Sequence, residues 1–143
     1  MSLRTIGMTK MAARTAQKRQ SGPRVLVVDD EPEIVDLTRV YLEREGFDVV
    51  GATDPETALS RFEQERVDCV VSDYRLGGTT GVAFCERVRQ RSAVPCIVFT
   101  SGDGSEVREA VAEAGLGLVY KRGTEGYDEL ARRIRERTTQ QAA

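Results

Sequence analysis

Cys69-Val70-Val71-Ser72-Asp73, followed at once by Tyr74-Arg75-Leu76-Gly77-Gly78, is an apolar run that stops on a carboxylate and opens into a glycine loop. A short apolar, β-branched run bounded by turn residues reads as a strand buried on both faces. Asp73 then stands at the carboxyl edge of a sheet, which is where open α/β folds place their ligand chemistry.

The same pattern recurs toward the amino terminus. Ser21-Gly22-Pro23 is a break, and Val25-Leu26-Val27-Val28 is a second apolar run that ends on Asp29-Asp30-Glu31. Pro32 suits the first turn of a helix, and Ile34, Leu37, Val40 and Tyr41 recur at helical spacing, so they are expected to face the core before Gly46 closes the segment. Phe47 to Ala52 reads as a strand. Thr53 or Asp54 before Pro55 is a helix start that presents Ala58, Leu59 and Phe62 on one face, with Asp54 read as a cap.

Toward the carboxyl terminus, Gly77 to Gly81 form a loop, and Val82, Cys85 and Val88 mark a helix ending near Gln90. Pro95 opens the strand Cys96-Ile97-Val98-Phe99, which ends on Thr100-Ser101-Gly102-Asp103, and Val107, Ala110, Val111 and Ala114 carry the next helix. Gly115 and Gly117 flank the turn into Leu118-Val119-Tyr120, which ends on Lys121; Tyr127, Leu130, Ala131 and Ile134 carry the last helix. Five strands alternating with five helices through short connections imply right-handed crossovers and a parallel sheet covered on both faces. The expected organisation is a basic tail over 1–23, one α/β domain over 24–137, and a frayed end over 138–143.

With 143 residues the chain holds one domain's core. No apolar run approaches the roughly 18 residues a membrane span needs, and the start lacks the apolar segment of a signal peptide, so a cytoplasmic setting is expected. The net charge of -2 conceals an asymmetry: Arg4, Lys10, Arg14, Lys18, Arg19 and Arg24 give residues 1–24 a charge of +6, leaving -8 for the rest. Short basic termini are mostly solvated, although such an arm suits nucleic acid or an acidic partner. Cys69, Cys85 and Cys96 form no paired motif and are expected to be reduced core residues. The chain has no histidine, which excludes histidine-dependent triads and a phosphohistidine carrier.

Parallel strands gather their carboxyl ends on one edge. Asp29, Asp30 and Glu31 stand there after the first strand, Asp73 after the third, Thr100 and Ser101 after the fourth, and Lys121 after the fifth. Several carboxylates in one crevice repel each other, and an oxygen-bound hard cation such as Mg²⁺ relieves that. A hydroxyl and an ammonium opposite complete a phosphate site. The chemistry this permits is phosphoryl transfer to a carboxylate: Asp73 attacks phosphorus in line, while the cation, Lys121 and Thr100 stabilise the transferring oxygens.

These residues resemble the receiver domains of two-component response regulators, over about Arg24 to Arg137. The likeness rests on the pair Asp29-Asp30, the strand-end Asp73, the loop glycine Gly81, Thr100 with Ser101, and Lys121, all in the family's order. It implies a single doubly wound, flavodoxin-like sheet of strand order 2-1-3-4-5. It further implies that Asp73 is the phosphoacceptor and that Asp30 binds Mg²⁺ directly and Asp29 mainly through water, with the backbone carbonyl of Arg75 as a further ligand. Lys121 would contact the phosphoryl group, and Thr100 would be the switch hydroxyl, with Ser101 beside it. The donor would be a partner sensor histidine kinase or histidine phosphotransfer protein. The signalling surface would include Leu118, Tyr120 and Arg122, on the face of the fourth helix, fifth strand and fifth helix that is also a possible homodimer contact.

Four positions depart from the family's usual pattern. Gly77-Gly78 replaces a proline and is expected to loosen the loop; Leu118 stands where an aromatic switch residue normally does; Arg122 replaces a proline after the lysine, so a trans bond is expected there. Arg75, opposed by Gly102, is expected to fold over the phosphoryl group. Two competing readings are a receiver-like module that binds its partner without phosphorylation, and a Mg²⁺-dependent phosphatase. The second is disfavoured because no carboxylate stands two residues after Asp73 and no phosphate-binding loop motif is present. DNA binding is not expected from this chain by itself, which is either a stand-alone receiver or a piece of something longer.

Overall fold

The structure is a computed structural model that describes residues 22 to 142 except 103, with side chains through 139. Apart from Gly22 and Pro23, the basic tail expected over 1–23 lies outside the described residues, as does Asp103. The elements run β1 (Arg24–Val28), α1 (Pro32–Arg44), β2 (Asp48–Ala52), α2 (Pro55–Gln64), β3 (Cys69–Ser72), α3 (Gly81–Arg89), β4 (Cys96–Thr100), α4 (Ser105–Glu113), β5 (Gly117–Tyr120) and α5 (Gly123–Ala142). The strands form one sheet in the order β2-β1-β3-β4-β5, and every pairing is parallel. This is the doubly wound topology expected.

The central strands have no polar face because helices cover both sides. Alternation along them divides the interior into two cores. Leu26, Val28, Val70 and Val98 pack on Ala58, Leu59, Phe84, Cys85, Val88, Val107 and Val111 of α2, α3 and α4. Val25, Val27, Val71, Ile97 and Phe99 pack on Leu42 of α1 and Leu130, Ala131 and Ile134 of α5. Each fully buried aliphatic side chain contributes about 1.5–3 kcal/mol of transfer free energy, so these layers hold the strand ends in place. Cys69, Cys85 and Cys96 are free thiols inside this interior, as expected.

One sequence expectation about the helices requires correction. On α1 the buried positions are Val35, Thr38 and Leu42, while Leu37 and Val40 are 53% and 46% exposed. The apolar count pointed to the wrong stripe because Thr38, a polar residue, faces inward: its hydroxyl lies 3.2 Å from the Tyr127 hydroxyl of α5, which satisfies it. Tyr127 also stacks on Tyr41 and meets Phe99 edge-on, with centroids at 5.1 and 5.2 Å. At the other end, α5 continues past Arg137 to Ala142. Thr138 is tied into it by a hydrogen bond from its hydroxyl to the Ile134 carbonyl at 2.8 Å.

Asp54 caps α2, accepting from the Thr57 N–H at 2.8 Å and the Thr57 hydroxyl at 2.9 Å. These bonds hold its carboxyl below its ordinary value of 3.8. Asp54→Ala is therefore expected to cost about 1 kcal/mol at neutral pH. A depressed folded-state value means the contribution is present above pH 3.8 and is lost as pH falls through the folded value. Urea unfolding at pH 7 and at about pH 2.5 checks this: the two proteins should differ at the first pH and converge at the second.

Candidate functional site

The carboxyl ends of β1, β3, β4 and β5 bring Asp29, Asp73, Thr100 and Lys121 together. Asp29 is buried, and its two oxygens are both engaged: Oδ1 accepts from the Glu31 N–H at 3.0 Å and Oδ2 from Lys121 Nζ at 2.6 Å. Lys121 Nζ also lies 3.5 Å from Asp73 Oδ2. One ammonium thus bridges carboxylates from the first and third strands. Burial by itself would lower the Lys121 ammonium, but its hydrogen bond to Asp29 and the charges of Asp73 and Asp29 outweigh that and raise it.

Asp73 is held at three points. Its N–H donates to the Val28 carbonyl at 2.9 Å, its carbonyl accepts from the Ser72 hydroxyl at 2.9 Å, and its Oδ1 accepts from the Tyr74 N–H at 2.7 Å. Oδ2 remains directed toward Lys121. Burial pushes the Asp73 carboxyl above its ordinary value and Asp29 adds to this, whereas Lys121, the Tyr74 N–H and the Thr100 hydroxyl pull it down. A carboxylate so placed is poorly hydrated, which suits both cation binding and nucleophilic attack.

The oxygens of Asp29, Asp30 and Glu31 lie within 4.8 Å of one another, Asp30 and Glu31 being exposed. An oxygen-only set of carboxylates fits a hard divalent cation and suits neither zinc nor copper. Thr100 is buried and accepts from the Gly102 N–H at 3.3 Å; its carbonyl accepts from the Lys121 N–H at 2.9 Å, while Ser101 is exposed.

The loop after Asp73 is a tight turn. Gly77 and Gly78 have φ of 56° and 77°, Leu76 donates to the Thr79 carbonyl at 3.1 Å, and the Leu76 side chain is buried. Consecutive positive φ values call for glycine, so this pair serves the turn geometry rather than loosening the loop. Gly81 donates to the Tyr74 carbonyl at 2.6 Å and closes it. The Arg75 guanidinium lies over the Tyr74 ring at 5.6 Å. The bond before Arg122 is trans, as expected, since no cis peptide occurs among the described residues. Leu118 packs partly buried against the α2–α4 core, and the Arg122 guanidinium lies over the Tyr120 ring at 4.9 Å.

Sequence reasoning found the charged members of this edge because each ends an apolar run. It missed Ser72, whose hydroxyl holds the Asp73 carbonyl; the available signal was one hydroxyl in an otherwise apolar strand.

A fold and edge of this kind define a receiver domain, and the response regulator receiver domain model matches residues 25–137. The chain belongs to that family, the receiver domains of two-component signalling. It is 41% identical over 81 residues to the alkaline phosphatase synthesis transcriptional regulatory protein PhoP of Bacillus subtilis, a match covering 56% of this chain and 34% of that protein. It is 38% identical over 87 residues to the sensory transduction protein RegX3 of Mycobacterium tuberculosis, covering 61% and 38% respectively. The chain thus spans little more than a third of the length of these curated relatives. Among solved structures, a CheY-like receiver domain protein from Methanospirillum hungatei aligns with a TM-score of 0.75 at 26% identity, over 84% of this chain and 96% of that one. The beryllofluoride-activated receiver domain of Klebsiella pneumoniae RstA aligns with a TM-score of 0.73 at 26% identity, over 80% and 97%. No helix among the described residues is long and apolar enough to cross a membrane.

Proposed function

We propose that this receiver domain accepts a phosphoryl group on Asp73, in a Mg²⁺-dependent reaction, from the phosphohistidine of a partner sensor histidine kinase or histidine phosphotransfer protein. The observation that carries this reading is the pair of contacts at Lys121 Nζ: 2.6 Å to Asp29 and 3.5 Å to Asp73, with Asp73 Oδ1 already held by the Tyr74 N–H. That arrangement leaves Oδ2 as the nucleophilic oxygen and an ammonium beside it for the incoming phosphoryl oxygens. The donor histidine comes from outside, since this chain contains none.

Asp29, Asp30 and Asp73, with the Arg75 carbonyl, are the residues to hold Mg²⁺. When bound, the cation neutralises negative charge on the transferring phosphoryl group. In the transfer, Asp73 Oδ2 forms the new O–P bond as the P–N bond to the donor imidazole breaks, and the imidazole leaves with the electron pair. Lys121 pairs with one phosphoryl oxygen and the Thr100 hydroxyl donates to another. These contacts exist only in the phosphorylated form, so they shift the population of the surface around α4, β5 and α5. The domain acts as a signalling acceptor and not as an enzyme on small molecules, and a cytoplasmic location accords with a phosphohistidine donor. That same surface, with Leu118, Tyr120 and Arg122, is the place for a downstream protein or a second copy of the chain.

Incubation with Mg²⁺ and acetyl phosphate, followed by intact-mass measurement, tests the reading. One phosphoryl adduct per chain is expected, labile at alkaline pH as acyl phosphates are, and absent in Asp73→Asn. A wild-type chain that never forms the adduct is instead a phosphorylation-independent interaction module. Continuous hydrolysis of many phosphomonoesters makes it a phosphatase.

A further inference from the structure

Two of the three thiols meet. Cys85 lies on the inward stripe of α3 with Gly81, Phe84 and Val88, and Cys96 is the first residue of β4; both are buried in the core that α2, α3 and α4 cover. A side-chain hydrogen bond joins them, Cys85 donating to Cys96, and Cys96 Sγ in turn donates to the Val94 carbonyl at 3.7 Å. Register excludes Cys69 from the pair. Val70 is paired with Cys96 and projects to the same face, so its neighbour Cys69 projects to the opposite one, where it packs with Val25, Val71 and Leu42.

Positive charge stands beside Cys96. Arg89 follows Cys85 by one turn of α3, and its guanidinium donates to the Ala114 carbonyl at 2.6 Å. Arg137 of α5 packs against Gly117, where a Cβ would lie 3.0 Å from Nη2, and Gly117 is paired with Ile97, the residue after Cys96. The hydrogen bond from Cys85, with the charges of Arg89 and Arg137, brings the Cys96 thiol below its ordinary value of 9.0 in spite of burial. The same bond and burial push Cys85 well above that value, and burial pushes Cys69 up as well. A thiol with thiolate character beside one that keeps its proton is the arrangement of an attacking and a resolving cysteine.

We propose that Cys85 and Cys96 are a redox pair that hydrogen peroxide converts to a disulfide, with Cys96 as the attacking thiol and Cys85 as the resolving one. The Cys96 thiolate attacks one peroxide oxygen: the S–O bond forms as the O–O bond breaks, and the second oxygen leaves with the electron pair and takes up the proton lost by Cys96, giving water and a sulfenic acid. The Cys85 sulfur then attacks the Cys96 sulfur; the S–S bond forms as the S–O bond breaks, and the hydroxyl leaves as water with the Cys85 proton. The two thiols are oxidised by two electrons and the peroxide is reduced to two waters. Peroxide reaches Cys96 by local opening of the segment before it, in which Arg91 and Ala93 are exposed and Ser92, Val94 and Pro95 half-buried. The bond ties α3 to the start of β4, at the edge of the sheet opposite Asp73, so the inference stands apart from the phosphoacceptor reading.

The reduced full chain, treated with hydrogen peroxide, quenched, unfolded in guanidinium chloride and alkylated with iodoacetamide, gives the test. One alkylated cysteine in place of three is expected. Trypsin separates Cys69, Cys85 and Cys96 into peptides 67–75, 76–87 and 92–108, and the map should show the second linked to the third, with Cys69 alkylated. Cys69→Ser should keep the link. Cys85→Ser should stop at a sulfenic acid on Cys96 that dimedone traps, whereas Cys96→Ser should leave Cys85 unlabelled by dimedone. The wild-type map needs no substitution and decides the pairing even where a serine variant folds poorly. Three alkylated cysteines after exposure that fully oxidises free glutathione, a link through Cys69, or links only between chains overturn the inference. So does a Cys85–Cys96 link that forms equally fast when peroxide is added in guanidinium chloride, because the folded contact then contributes nothing. A dimedone label on Cys85 of Cys96→Ser, with none on Cys96 of Cys85→Ser, overturns the assignment of roles.

Discussion

Lys121→Ala is expected to destabilise the unliganded domain by about 3 kcal/mol, because it leaves Asp29 as an unpaired carboxylate in a buried position. Side-chain exposure is 4% for Asp29 and 17% for Lys121, so the pair is shielded from water, and removing one partner of such a pair typically costs about 3–5 kcal/mol. The lower end applies here because the edge is open enough for water to reach Lys121. In a domain of this size that loss lowers Tm by about 10 °C, readable by circular dichroism. Adding Asp29→Asn should restore most of the lost stability, since the double variant removes the uncompensated charge as well. If the double variant is no more stable than the single one, the cost lies in packing of the lysine stem rather than in the ion pair. Neither variant is expected to form the phosphoryl adduct efficiently.

Gly81→Ala is expected to have an effect of similar size for a different reason. A Cβ at Gly81 would lie 2.1 Å from the Asp73 carbonyl oxygen, 3.1 Å from its carbonyl carbon and 2.7 Å from Ser72 Oγ. Backbone cannot yield as a side-chain end does, so the Asp73 peptide must shift. Forced overpacking costs about 1–3 kcal/mol, and displacing a nucleophile by a fraction of an ångström to 1 Å slows its reaction by about 10- to 100-fold. The adduct-formation rate should fall accordingly. Gly102→Ala is the control: its added Cβ meets nothing closer than Thr100 Oγ1 at 3.9 Å, so stability should change by less than about 0.5 kcal/mol. Equal behaviour of the two variants would mean that the contact at Gly81 is not what orients Asp73.

Much of the fold was legible because the relevant signals are local. Each central strand is an apolar run, each run stops on a polar residue, and the helices between them carry stripes at helical spacing; of the positions expected on α3, α4 and α5, Cys85, Val88, Val107, Val111, Leu130, Ala131 and Ile134 are buried, and Val82, Ala110, Ala114 and Tyr127 pack partly buried against the two cores. The failure on α1 has a specific cause. Ile34, Leu37, Val40 and Tyr41 make a convincing apolar stripe, but Thr38 can enter the core because Tyr127, 89 residues later, meets its hydroxyl. Hydrophobicity along one segment cannot register a partner so distant in the chain. The loop glycines are a second case: composition suggested slack, whereas the positive φ values at Gly77 and Gly78 show that the turn itself needs them.

The candidate site divides in the same way. The order of apolar runs and their polar stops determined that Asp29, Asp30, Asp73, Thr100 and Lys121 would gather on one sheet edge, since parallel strands leave no other arrangement. The tertiary structure alone decided how they pair: Lys121 Nζ takes Asp29 at 2.6 Å and stands 3.5 Å from Asp73, Ser72 holds the Asp73 carbonyl, and the register of β4 on β5 sets Tyr120 opposite Thr100. The physical reason is that secondary-structure signals act over a few residues and set which way a strand points. Hydrogen bonds and ion pairs act over about 3 Å and depend on strand register, here between groups 92 positions apart.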